Sequence, residues 1–150
     1  MEFRLARHQD LTTENCQKIL KQAEEFKRAV PLDPTPPWEI LGNFIAFCEG
    51  KAKDPQVWIG LEDGELLGFV VTTAMIISKD SCCYIKHAYI HPTHRANGVM
   101  GFSLDTLAEK AKKAGYTKIL CQRYGDSDAF GRMMGRFGYK YKATEFEKEV

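Results

Sequence analysis

Ile90-His91-Pro92-Thr93-His94-Arg95-Ala96-Asn97-Gly98-Val99-Met100-Gly101 carries an apolar, strand-like stretch through a basic, glycine-containing turn and straight into an amphipathic helix. Such a junction is an anion cradle. The first N–H groups of a helix lack intrahelical partners and carry roughly half a unit of positive charge, so a phosphate there is held by backbone. Gly98 lets the main chain approach closely, and Arg95 adds a fixed cation.

Outward from the turn, the elements fall into a consistent order. Residues 2 to 7 read as a first strand, and Thr12 or Thr13 can cap a helix with Cys16, Ile19, Leu20, Ala23 and Phe26 on one face. Four prolines between Pro31 and Pro37 make a rigid loop. Thr35 as N-cap and Pro36 in the first turn then start a second helix with Leu41, Phe44, Ile45 and Cys48 along one side, closed by Gly50. From Gln56 the apolar period drops to two, and Asp63-Gly64 marks a hairpin before a strand from Leu66 to Ile77. Cys82 to Ile90 is the next strand. The helix after the turn aligns Met100, Leu104, Leu107, Ala111 and Ala114, with Lys110, Lys112 and Lys113 complementing its dipole. Thr117 to Gln122 follows as a parallel strand reached by that crossover. Asp126 or Ser127 caps a short helix to about Phe137, and Tyr139 to Glu147 alternates as a last strand.

Bulk properties narrow the function classes. The 150 residues, 44% hydrophobic, suffice for one well-buried core and predict a single domain over 1–150. Lys plus Arg number 21 against 20 acids, a net charge of +1 with no global field for nucleic acid or an anionic membrane. No apolar run approaches the roughly 20 residues that span a bilayer, and no signal core opens the chain, so a cytoplasmic protein is expected. The five cysteines form no C-x-x-C pair, which predicts neither a disulfide framework nor a zinc knuckle. Nor do the histidines suggest a metal site. On a strand rising about 3.3 Å per residue, His87 and His91 stand roughly 13 Å apart, too far to share an ion. Gly98-Val99-Met100-Gly101 spells the G-x-x-G of nucleic-acid-clamping modules, but those place a helix before the loop.

The spacing Ile90-x-Pro92-x-x-Arg95-x-x-Gly98 resembles motif A of the GNAT (general N-acetyltransferase) superfamily, V-x-P-x-x-R/Q-x-x-G-x-G/A followed by a helix. Met100 fills the second small position, and Gly101 follows one residue later. The ending Arg132-Met133-Met134-Gly135-Arg136-Phe137-Gly138-Tyr139 looks somewhat like small phage-encoded members. The resemblance implies a mixed α/β (α+β) fold. Its central sheet would hold about six strands flanked by about four helices, splayed between the fourth and fifth strands. It also implies an acyltransferase that uses acetyl-CoA as cosubstrate, without a metal, and attacks directly with a primary amine in a ternary complex.

Site residues follow from the same resemblance. Arg95 and the amides of Ala96, Asn97, Gly98, Met100 and Gly101 would grip the pyrophosphate. The main chain of Ala88 and Ile90 would meet the pantetheine arm, with an N–H near Ala88 facing the thioester carbonyl. A tyrosine commonly protonates the leaving thiolate in this family, but its position here is Met134; Tyr124 and Ser127 are the nearest replacements, Ser127 aligning with the family's asparagine. His87 is the candidate base, since an unperturbed imidazole titrates near 6.5. Its alternative is a packed strand histidine. Trp38, Phe44 and Phe47 suit either an acceptor pocket or the core. The acceptor is a small-molecule or protein amine, and the tyrosines of the last strand suit pairing across a homodimer. A second reading keeps the fold as a CoA-binding or interaction module that has lost catalysis.

Overall fold

The computed structural model describes residues 1–95, 98–122, 124, 128–141 and 147–149. Five strands form one sheet in the order β1-β2-β3-β4-β5: β1 Glu2–Leu5, β2 Gln56–Glu62, β3 Glu65–Ile77, β4 Asp80–Ile90 and β5 Lys118–Cys121. Neighbours pair antiparallel except β4 and β5, which are parallel. Helices α1 Thr13–Ala29, α2 Pro37–Cys48, α3 Val99–Lys113 and α4 Asp128–Gly135 complete a mixed α/β architecture.

Strand alternation divides the core in two. Val57, Ile59, Leu61, Phe69, Val71 and Tyr89 pack with Ile19, Ala23 and Phe26 of α1 and Ile40 and Phe44 of α2. Trp58, Val70, Cys83 and Ile85 pack on the other side with Leu104, Leu107 and Ala111 of α3. A period of two in β2 thus feeds both layers, as a sheet covered on each face requires. The Asp63-Gly64 turn has φ of 51° and 80°, the mirror-image geometry that a two-residue hairpin needs.

Several boundaries differ from the sequence reading. The second helix begins one residue later than expected, with Pro36 at the N-cap and Pro37 first inside, because proline's fixed φ suits the first helical position. Thr35 instead gives its N–H to the Asp33 carboxylate. Phe44 is wholly buried, whereas Trp38 is 70% exposed and belongs to no core. The expected caps Asp126 and Ser127, and the middle of the expected last strand, lie outside the described residues; the flanks 139–141 and 147–149 carry no strand.

Gly68 sets how closely β3 meets β4. A Cβ built there would stand 2.1 Å from the Tyr89 carbonyl oxygen and 3.1 Å from Ile90 Cα, so the strands must part to admit one. Gly68→Ala should therefore cost about 2 to 3 kcal/mol of stability, the upper range for overpacking. Denaturant unfolding checks this, and an unchanged midpoint would contradict the close approach.

Candidate active site

Two irregularities of β4 build a cleft. Val71 pairs with His87 while Thr72 pairs with Ile85, so Lys86 is an extra residue and β4 bends there. Pairing with β5 stops at the same point, the last partners being Ile85 and Cys121. Beyond it Lys86 to Ile90 run on without a strand neighbour on that edge among the described residues. Hydrogen-bonded and open positions alternate along an antiparallel pair. The His91 N–H bonds the Leu67 carbonyl, so the alternation turns the N–H and C=O groups of Ala88 and Ile90 away from β3 and into the splay.

Lys86, His87 and Ala88 line one wall of this cleft, Cys121, Gln122, Tyr124 and Phe130 the other, and Phe26, Val30 and Asp33 its α1 side. Tyr124, proposed from sequence as proton donor, thus stands on the same cleft as His87. Met134 does not: it is buried in the core beneath α3. Ser127 lies outside the described residues. No thiolate is poised at the wall either, because burial pushes the Cys121 thiol up.

Where it is described, the turn after β4 leads directly into α3. Gly98 caps α3 with φ 70° and ψ 10°, the left-handed region that favours glycine. The first helical bond runs from the Phe102 N–H to the Gly98 carbonyl at 3.0 Å. The N–H groups of Val99, Met100 and Gly101 consequently have no acceptor within the helix. No acid sits in this first turn. The Met100 side chain is half-buried against the core beneath α3, and Gly101 makes room for the Phe137 ring, 3.1 Å from where its Cβ would be. Ala96 and Asn97 lie outside the described residues.

Arg95 also holds the turn together. Its Nε donates to the Ile90 carbonyl at 2.9 Å, and its guanidinium lies 5.6 Å from the Tyr89 ring centre. The Tyr89 hydroxyl donates in turn to the Glu25 carboxylate of α1. Burial first, then that carboxylate, push the Tyr89 phenol up to about 12.

His87 is packed on the α1 side, edge-on to Phe26 with ring centres 5.4 Å apart. Its Nδ1 is 3.3 Å from Oδ2 of Asp33, and the two side chains are 3% and 4% exposed. Neither ring nitrogen closes a well-aligned hydrogen bond among the described residues. Contacts of this kind at reaction centres often tighten only with the reactants in place. Burial pulls the imidazole below its usual value, with Asp33 and then Glu39 pulling the other way and Lys86 reinforcing burial. The folded protein therefore keeps His87 neutral where the unfolded chain, below pH about 6.5, takes up a proton. Stability should therefore decrease as the pH is lowered through that window, by at most about 1.4 kcal/mol per unit, and His87→Gln should remove this component. Thermal melts of both proteins between neutral and mildly acid pH test it; parallel curves would contradict a buried neutral imidazole.

Asp33 was not legible as a site residue. Its one local signal, Asp-Pro-Thr in a proline-rich loop, announces only the turn in which Oδ1 accepts the Thr35 N–H at 2.9 Å. The other histidines stand apart from the cleft, His94 Nδ1 lying 3.7 Å from Glu62 and His91 Nδ1 2.8 Å from the Thr93 hydroxyl. Among the described residues no three His, Cys, Asp or Glu side chains gather as a metal site, and no helix is long and apolar enough to cross a membrane.

Comparison with known proteins bears on the family and the fold. The model of the Acetyltransferase (GNAT) family matches residues 14–139. A ribosomal-protein-alanine N-acetyltransferase from Brucella melitensis biovar Abortus 2308 superposes with a TM-score of 0.71 at 15% identity, covering 100% of this chain and 99% of the other. A possible acetyltransferase from Clostridium difficile 630 gives 0.77 at 12% identity over 99% and 97%. The aminoglycoside 6'-N-acetyltransferase AAC(6')-IG from Acinetobacter haemolyticus gives 0.71 at 14% over 100% and 99%. At these identities the likeness is one of fold. No curated protein matches the chain by sequence.

Proposed function

The chain belongs to the GNAT acetyltransferase family, and on that premise we propose that it transfers an acetyl group from acetyl-CoA to a primary amine by direct attack in a ternary complex. One observation carries the reading: the strand edge at Ala88 and Ile90, turned away from β3, leads through the turn to the N–H groups that begin α3 and have no acceptor within the helix. These fit an extended amide-bearing arm and a diphosphate respectively. Val99, Met100 and Gly101 would hold the diphosphate by backbone, together with Arg95 and the amides of Ala96, Asn97 and Gly98. Acetyl-CoA supplies the thioester, whose carbonyl carbon takes the amine's electron pair as its C–S bond breaks.

The chain's own groups would manage charge and protons. The Ala88 N–H faces the side where the carbonyl oxygen gains charge, and one such donor is typically worth about 3 kcal/mol in the transition state. A lysine-like amine is neutral only about one part in a thousand at pH 7, so a base is useful. His87 would take the amine's proton on Nε2, and Tyr124 would return one to the departing sulfur. The raised Cys121 thiol disfavours an acyl-cysteine route. The same reading makes residues 1–150 one cytoplasmic acyltransferase domain that acts on a small-molecule or protein amine, needs no metal, nucleic acid or membrane, and pairs as a homodimer.

Burial of Met134 favours a second reading, since the position of the family's usual proton donor lies in the core and not on the cleft. In that reading the protein binds CoA without turning it over. Calorimetry with acetyl-CoA, followed by a thiol-release assay over a panel of amines, separates the two. Binding with turnover supports the enzyme; binding without turnover on every amine supports the module.

A further inference from the structure

Asp33 and His87 come from distant parts of the chain, yet they are buried against each other where the β4 wall of the cleft meets its α1 side. Resting on the reading that this cleft acetylates an amine, we propose that Asp33 is a positioning residue: its carboxylate keeps the imidazole of His87 protonated on Nδ1, leaving the lone pair on Nε2 for the amine's proton.

The loop that carries Asp33 is fixed independently of His87. Lys27 at the end of α1 donates from Nζ to the carbonyls of Pro31, at 3.2 Å, and of Asp33. Thr35 N–H occupies Oδ1. Oδ2 is left, and the group it faces is Nδ1 of His87. A buried carboxylate lacking a partner is costly, and a neutral imidazole offers it an N–H only from the nitrogen on that side. The tautomer follows from that constraint. Other charged and titratable groups around the ring are Glu39 of α2, Lys86 of β4, and Cys121 and Tyr124 on the opposite wall.

In the reaction the nitrogen of the acceptor forms its bond to the carbonyl carbon and loses a proton, which passes to Nε2. The Nδ1 proton stays on the ring, and Asp33 remains a carboxylate that steadies the new imidazolium. The burial that keeps His87 neutral at rest opposes this charge, and Asp33 offsets it.

Asp33→Asn tests the assignment, because an amide can still accept from Thr35 N–H while presenting a donor to Nδ1. That inverts the tautomer and protonates Nε2. The variant should lose about a hundredfold in kcat, with little change in KM for acetyl-CoA. In a His87→Gln background the same change should have almost no further effect, since Asp33 acts through a group already removed. Asp33→Glu should recover part of the rate. Long-range nitrogen-proton NMR of the ring gives a readout independent of turnover: wild-type His87 should carry its proton on Nδ1, and Asp33→Asn should move it to Nε2 and lower the ring's pKa. A wild-type ring protonated on Nε2, or equal losses in both backgrounds, would overturn the proposal. A wild-type protein that acetylates nothing would instead sink the functional reading, and the tautomer alone would then judge the contact.

Discussion

A folded Gly98→Val protein should bind acetyl-CoA about a thousandfold more weakly than the wild type, a difference near 4 kcal/mol. The cause is backbone rather than contact. Among the described residues nothing lies within 4 Å of where a Gly98 Cβ would sit, but the residue's φ is 70°. A β-branched side chain is a genuine outlier in that region, so the turn must rebuild and re-aim the N–H groups that follow. Hydrogen bonds to a charged partner are worth about 1.5 to 3 kcal/mol each, and losing two accounts for the expected effect. Gly98→Asn is the control, since asparagine tolerates left-handed geometry; its affinity should fall less than tenfold. Calorimetry alongside a thermal melt separates lost binding from lost folding. Unchanged affinity in folded Gly98→Val would remove the turn from the site.

Replacing His87 should be as damaging to turnover as Gly98→Val is to binding. A positioned base contributes about a hundred to ten thousandfold, and His87→Gln should lower kcat by roughly a thousandfold while leaving acetyl-CoA affinity near that of the wild type. The pH profile supplies the sharper readout. A neutral imidazole is the active form, and burial lowers its pKa, so wild-type kcat should fall on the acid side only below about pH 6.5. In His87→Gln that limb should vanish. An identical limb in both proteins would assign it to another group and leave His87 as packing.

Much of this architecture could be read because local rules and tertiary packing agree. The two-residue period of β2, the Asp63-Gly64 hairpin and the apolar stripe of α1 each have one physical solution, and the structure adopts it. The left-handed cap of α3 was readable for the same reason: Gly98 stands where the chain must turn left-handed before a helix. What stayed hidden depends on contacts between distant segments. Lys86 gives no local sign that it is the extra residue of a bulge, because bulges are set by pairing across strands. Asp33 looks like an ordinary turn residue until the α1–α2 loop is folded against β4. Gly68 reads as a weak point in a strand, and only the nearness of the Tyr89 carbonyl explains it. Trp38 shows the limit of composition, since an aromatic residue at the head of an apolar helix is exposed while Phe44, two turns on, is fully buried.

Amide NMR during titration with CoA, and in parallel with pantetheine, which lacks the diphosphate, probes the corner most directly. CoA should move the Val99, Met100 and Gly101 N–H resonances more than any others outside β4, while pantetheine shifts Ala88 and Ile90 and leaves those three in place. Saturable CoA binding that leaves the three helix-start amides unmoved would contradict the account.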